Sequence, residues 1–165
     1  MQVSRTLATA AVLLAGCSSR AASNTATLPL HDVPAAVAAV QAAVSPSQFT
    51  EINASPDGVT LFALTAPGKE RSYLYTGGKL AESGPEGPAQ GDAFSLTGVS
   101  LDQAAKVASF VTKQYPGSSV TSVALTVVKP NGLVWAVRSQ SVKGGLLNSL
   151  FSPDGHLLSA FPANS

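Results

Sequence analysis

The sequence predicts an α+β fold built from two helix-then-antiparallel-meander units, packed as one layer-type domain. Three observations point there. Two segments, Val33 to Val44 and Leu101 to Tyr115, carry apolar residues at helical spacing. Each is followed by short runs of apolar, β-branched and aromatic residues, punctuated by Gly, Pro, Asn and Asp at turn positions. The two halves also match in pattern, Gly58-Val-Thr-Leu-Phe-Ala-Leu64 with Gly132-Leu-Val-Trp-Ala-Val137, and Tyr73-Leu-Tyr-Thr-Gly-Gly-Lys-Leu80 with Leu150-Phe-Ser-Pro-Asp-Gly-His-Leu157. A one-sided helix and a one-sided sheet each need a partner for the apolar face, so two helices laid on one sheet bury a shared core.

The elements follow in order. Asp32 stands where a helix cap belongs, Pro34 falls in the first turn, and Val33, Val37, Val40 and Val44 share one face before Ser45-Pro46-Ser47 ends the helix. Strands are expected at Phe49 to Ala54, Val59 to Thr65 and Arg71 to Tyr75. Lys69, Glu70 and Arg71, the densest charged run, read as a solvated turn between the last two. Glu82 to Gly91 offers nothing apolar beyond Ala and Pro and reads as a Gly/Pro-rich linker loop. In the second unit Ser100 and Gln103 form a capping-box pattern, and Leu101, Ala104, Ala105, Ala108, Val111 and Tyr115 share a helical face. Pro116-Gly117 stops that helix, and strands follow at Val120 to Val128, Leu133 to Ser139, Leu146 to Phe151 and His156 to Phe161. The domain is thus assigned to residues 30–165, with similar halves at 30–81 and 94–162.

Ahead of it, Met1 to Arg5 is polar with one positive charge and Leu7 to Ala15 is apolar, the n-region and h-region of a secretory signal. That run is about half of the roughly 20 residues that span a bilayer as a helix. Leu14-Ala15-Gly16-Cys17 then resembles the bacterial lipobox, in which a branched residue and two small ones present a cysteine to the lipidating enzyme and the signal peptidase. The resemblance implies cleavage between Gly16 and Cys17 and a diacylglyceryl thioether on Cys17. Residues 1–16 become the signal peptide, residues 17–29 the lipidated N-terminus and its tether. It also implies a lipid-anchored location at the extracytoplasmic face of a bacterial cell membrane, or the outer membrane in a two-membrane host. Two acyl chains hold where one would not. Ser18 to Thr27 is small and polar, the composition of a flexible tether.

Residues 99 to 161 resemble a PepSY-like module: a Leu-x-x-Ala-Ala helix at Leu101, then Tyr115-Pro-Gly, then strands joined by Pro130-Asn-Gly and closed by Phe151-Ser-Pro-Asp-Gly-His-Leu157. The resemblance implies a non-catalytic domain of secreted or membrane-attached proteins that binds and restrains peptidases.

Composition narrows the function. Only 12% of the 165 residues are charged, about half the usual share. Without Arg5 the chain carries nine Lys/Arg against nine Asp/Glu. With no basic excess to neutralise phosphates, nucleic acid is excluded as a partner, and overall charge gives no pull toward an anionic bilayer. His31 and His156 are the only histidines, Cys17 is the one cysteine, and no nucleophile elbow, P-loop or Rossmann glycine pattern occurs. Asp57 and Asp154 sit in Ser-Pro-Asp-Gly turns, where hairpin geometry accounts for them. The expectation is no catalytic residue, no metal and no cofactor.

The leading reading is therefore a non-enzymatic envelope lipoprotein that binds a protein or peptide partner, by strand addition if a sheet edge is exposed. The second is a carrier or sensor of a small apolar ligand in a cavity between helices and sheet, lined by Val37, Val40, Val111 and Trp135. An enzyme would need His31 or His156 beside a carboxylate in a cleft. Tyr73, Tyr75 and Trp135 are the candidate binding residues, with Trp135 expected to be buried and the tyrosine pair partly exposed.

Overall fold

The computed structural model describes residues 27–162. The expected signal peptide, the expected cleavage between Gly16 and Cys17 and most of the expected tether lie outside the described residues. Within them the fold is α+β, with two helices and nine strands in one antiparallel sheet. A single 3-10 turn, Leu30–Asp32, leads into α1, Val33–Val44. Four strands follow as a meander: β1 Phe49–Ser55, β2 Gly58–Ala66, β3 Lys69–Thr76 and β4 Lys79–Glu82. After the short β5, Gly87–Pro88, come α2, Gln103–Gln114, and a second meander: β6 Ser119–Val128, β7 Gly132–Gln140, β8 Leu146–Phe151 and β9 Leu157–Pro162.

Across the sheet the strand order is β4-β3-β2-β1-β6-β7-β8-β9, with β5 alongside β3. The meanders meet where β1 pairs with β6, from Glu51 opposite Thr126 to Ala54 opposite Val123. Period-two alternation then sets one face of the central strands toward the helices. Ile52 and Ala54 of β1, Val59, Leu61 and Ala63 of β2, Val123 and Leu125 of β6, and Trp135 and Val137 of β7 are all at most 1% exposed. The helices answer with the same spacing twice: Val33, Ala36, Val37 and Val40 on α1, Ala104, Val107, Ala108 and Val111 on α2. Alanine at one position of the α1 face and at two of the α2 face lets the helix backbones approach the sheet. α1 packs on β2, and α2 on β6 and β7.

Two glycines show why the turns need them. Gly77 and Gly78 both have positive φ, 56° and 78°, and close the two-residue β3–β4 hairpin in the conformation that matches strand twist. Gly58 has φ 139°, and a Cβ there would stand 2.6 Å from the Tyr75 carbonyl oxygen of the neighbouring strand.

Several expectations are corrected. Val44 is 41% exposed, because the helix ends one residue later, at Ser45 in the left-handed region. Neither helix has a side-chain hydrogen bond at its N-cap. At α2 the carbonyls of Ser100 and Leu101 accept from the N–H groups of Gln103 and Ala104, so a backbone turn replaces the capping box. Ala105 is only half-buried, whereas Val107, absent from the expected face, is 1% exposed.

The stretch from Glu82 to Gly91 is a strap rather than a plain linker. Gly87 and Pro88 pair with Glu70 and Lys69, the Ala89 N–H donates to the Gly68 carbonyl at 2.9 Å, and Phe94 then exchanges two backbone hydrogen bonds with Phe49. Nor is Lys69-Glu70-Arg71 a solvated turn: it opens β3. Lys69 pairs with Glu86 at 3.4 Å, Arg71 pairs with Glu82 at 2.8 Å, and Glu70 is buried.

Candidate functional site

The two edges of the sheet are built differently. At one edge β4 is four residues long, begins with Lys79 and ends with Glu82, and β5 covers the rest of β3. Short length, charge and a covering segment are the usual defences of an exposed edge. At the other edge β9, Leu-Leu-Ser-Ala-Phe-Pro, carries no charge and pairs with β8 alone among the described strands. Leu157, Leu158 and Phe161 stand 41, 47 and 43% exposed along it. A row of unpaired backbone groups flanked by apolar side chains is a template for one more strand.

Beside the far end of β9 lies a pocket of about 320 Å3 lined by Tyr115, Ser118, Ser139, Leu146, Leu147 and Pro162. Its walls are mostly apolar. Ser139 is fully buried, and its hydroxyl has no hydrogen-bond partner among the described residues. A buried hydroxyl in that state carries an unrecovered desolvation cost of about 1–3 kcal/mol.

The near end of β9 is set by the Ser152-Pro153-Asp154-Gly155 turn. The Ser152 N–H donates to the His156 carbonyl at 2.8 Å, and the Ser152 hydroxyl donates to the Asp154 carboxylate, holding its pKa below the usual range. Asp154 also lies 3.3 Å from His156 Nε2, with both side chains exposed. A carboxylate thus stands between hydroxyl and imidazole, whereas an activated serine needs the imidazole on the hydroxyl. The arrangement is that of a turn lock. His31 is exposed within the 3-10 turn.

A polar recess opens on the sheet face away from the helices. It encloses about 380 Å3 between Thr50, Glu51, Phe62, Glu70, Gln90 and Thr126. Glu70 is 6% exposed there, accepting from the Thr50 hydroxyl and from the Gln90 N–H at 3.2 Å. Glu51, on β1 and separated from Glu70 by β2, has its pKa raised, first by burial and then by the Glu70 charge.

The three binding residues named from sequence do not assemble into a surface. Trp135 is 1% exposed, its indole N–H donating to the Pro153 carbonyl at 3.3 Å. Tyr73 is not partly exposed as expected: at 2% it belongs to the core, and burial pushes its phenol up. Tyr75 is half-buried against that core. Both tyrosines lie on β3, four strands away from Trp135 on β7. Val37, Val40 and Val111 are at most 3% exposed within the same core cluster as Trp135, and none of the four lines the pockets above. The residues that reasoning missed are Leu157, Leu158 and Phe161. Their signal was present as an uncharged apolar run closing the domain.

No family model matches the chain, and neither a curated protein nor a solved structure matches it. The PepSY-like resemblance therefore rests on the residue pattern of 99 to 161 alone.

Proposed function

We propose that the chain is a lipid-anchored lipoprotein of the bacterial cell envelope, without enzymatic activity, whose domain captures an extended peptide segment of a protein partner along β9. The observation that carries the binding half is the uncharged β9 edge with Leu157, Leu158 and Phe161 exposed beside it. Strand addition draws affinity from main-chain hydrogen bonds and specificity from side-chain pockets, and the Tyr115–Leu146 pocket lies where such a peptide would end. The anchoring half rests on Leu14-Ala15-Gly16-Cys17, with Cys17 as the lipidated residue and the extracytoplasmic face of the membrane as the location.

The same reading takes the domain as two copies of one helix-then-meander unit joined by the 82–91 strap. Supporting it are the repeated element order, the repeated burial spacing on α1 and α2, and the meeting of the meanders at their first strands. The PepSY-like pattern of the second unit fits a binding role in peptidase restraint. A second reading is favoured by one observation, the apolar pocket with the orphan Ser139 hydroxyl: a small apolar ligand carrying one polar group would satisfy both.

The test is in-cell photocrosslinking. A photoreactive residue at Leu158 is expected to trap a discrete protein adduct that the same residue at Asp57, in the β1–β2 turn, does not. Equal labelling from both positions, or none from Leu158, contradicts capture along β9.

A further inference from the structure

The balanced charge of the whole chain hides a segregation. Residues 27–99 hold three Lys/Arg against seven Asp/Glu, whereas residues 100–162 hold five against two. The apolar exposure is segregated the same way. Of the seven large hydrophobic side chains exposed among the described residues, only Val44 belongs to the first half; Phe110, Val142, Leu146, Leu157, Leu158 and Phe161 belong to the second.

Some of this excess converges on the outer side of α2. Lys106, Phe110 and Lys113 follow one another at helical spacing and line a shallow groove of about 390 Å3. Phe110 is 42% exposed, its inner edge resting on Phe151 with ring centroids 5.5 Å apart. The β7–β8 turn continues the surface past the end of the helix: Val142 lies against Gly117 and is 80% exposed, with Lys143 next to it. Lys129 is paired with Asp92 at 2.9 Å, but Lys106, Lys113 and Lys143 have no carboxylate partner among the described residues. Lysines interleaved with protruding apolar side chains suit the headgroup region of an anionic bilayer, where ammonium groups meet phosphates and the apolar tips enter the acyl boundary.

The chain itself points this face the same way. Thr27 and Leu28, where the described residues begin, line a groove on α2 with Ala105, Ala108 and Ser109, next to the Lys106 groove. Only ten residues, Cys17 to Ala26, separate that point from the lipidation site. Fully extended they reach about 35 Å, so lipid on Cys17 keeps α2 near the bilayer.

We propose that the outer face of α2 and the adjoining Val142–Lys143 turn rest on the anionic lipid surface to which the chain is anchored. This rests on the lipoprotein reading for its orientation, and it places β9, whose partner strand β8 meets α2 through Phe151 and Phe110, at the height where a partner at the membrane would be met.

The experiment isolates the surface from the lipid. Full-length chain carrying Cys17→Ala is floated with phosphatidylcholine vesicles and with vesicles containing phosphatidylglycerol, and the ratio of bound fractions is taken. Leader and tether are common to every variant, so they cancel in the comparison. Lys106→Glu is expected to lower the ratio about fivefold or more, whereas Lys79→Glu, the same charge change on β4 at the far edge, leaves it unaltered. Both lysines are exposed, and an unchanged thermal melt confirms folding. Equal effects of the two reversals, or none from Lys106→Glu, overturn the proposal. Intact mass of the unmodified chain reports separately on Cys17, so a missing lipid refutes the anchor without touching the vesicle result.

Discussion

Glu51 and Trp135 lie on opposite faces of the same sheet, and each is governed by what its face offers. Trp135 is opposite Leu125 and Phe151 on its neighbouring strands, under α2, where a large apolar body fills the layer and its one polar atom finds the Pro153 carbonyl. Glu51 has no such fit. Burial disfavours its charge, and Glu70, already satisfied by Thr50 and the Gln90 N–H, adds like-charge repulsion. Its folded pKa therefore lies above the unfolded 4.5, so ionisation costs folding free energy as pH rises from that value through the raised one. Glu51→Gln is expected to raise the Tm at neutral pH and to leave it unchanged well below pH 4.5, where the native carboxyl is protonated in both states. Thermal melts across that range decide it, and a Tm gain that persists at acid pH would contradict the sign.

At the scale of elements, the β1–β2 hairpin depends on a single missing Cβ. Gly58→Ala puts a methyl 2.6 Å from the Tyr75 carbonyl and asks a non-glycine residue to hold φ 139°, so it is expected to cost about 3 kcal/mol or more by urea denaturation. A loss under about 1 kcal/mol would show that β2 and β3 part easily there.

Both helices could be read because each buries a single stripe, and the six hairpin turns among the described residues could be placed from Gly, Pro, Asn and Asp in kind, but not in pairing. Their starts were misread where backbone turns at Leu30–Asp32 and Ser100–Leu101 took the place of side-chain caps. The 82–91 strap was hidden because its hold on β3 comes from backbone groups and ion pairs, not apolar side chains. Glu70 was hidden because its partners, Thr50 and Gln90, are twenty residues away on either side. The candidate edge was legible as an apolar run, but strand order is needed to know that β9 lies outermost.

Over the whole molecule, charge and exposed apolar surface divide together between the halves, and the proposed orientation uses that division. In that proposed orientation the acidic half, with its defended β4 edge, would face away from the lipid. The basic half carries the α2 surface and the β9 edge, and Thr27 and Leu28 line a groove on that α2 surface where the chain leads toward Cys17. No helix among the described residues is long and apolar enough to cross a membrane, so in this account attachment depends on the thioether at Cys17. The most direct measurement is intact mass with membrane fractionation of the full-length chain beside Cys17→Ala, both expressed in a bacterium. The unmodified chain is expected to lose Met1 to Gly16, gain diacylglyceryl and acyl mass and pellet with membranes, while Cys17→Ala gains no lipid. Identical masses of adduct-free protein in both, or equal membrane retention with the leader intact, would contradict it.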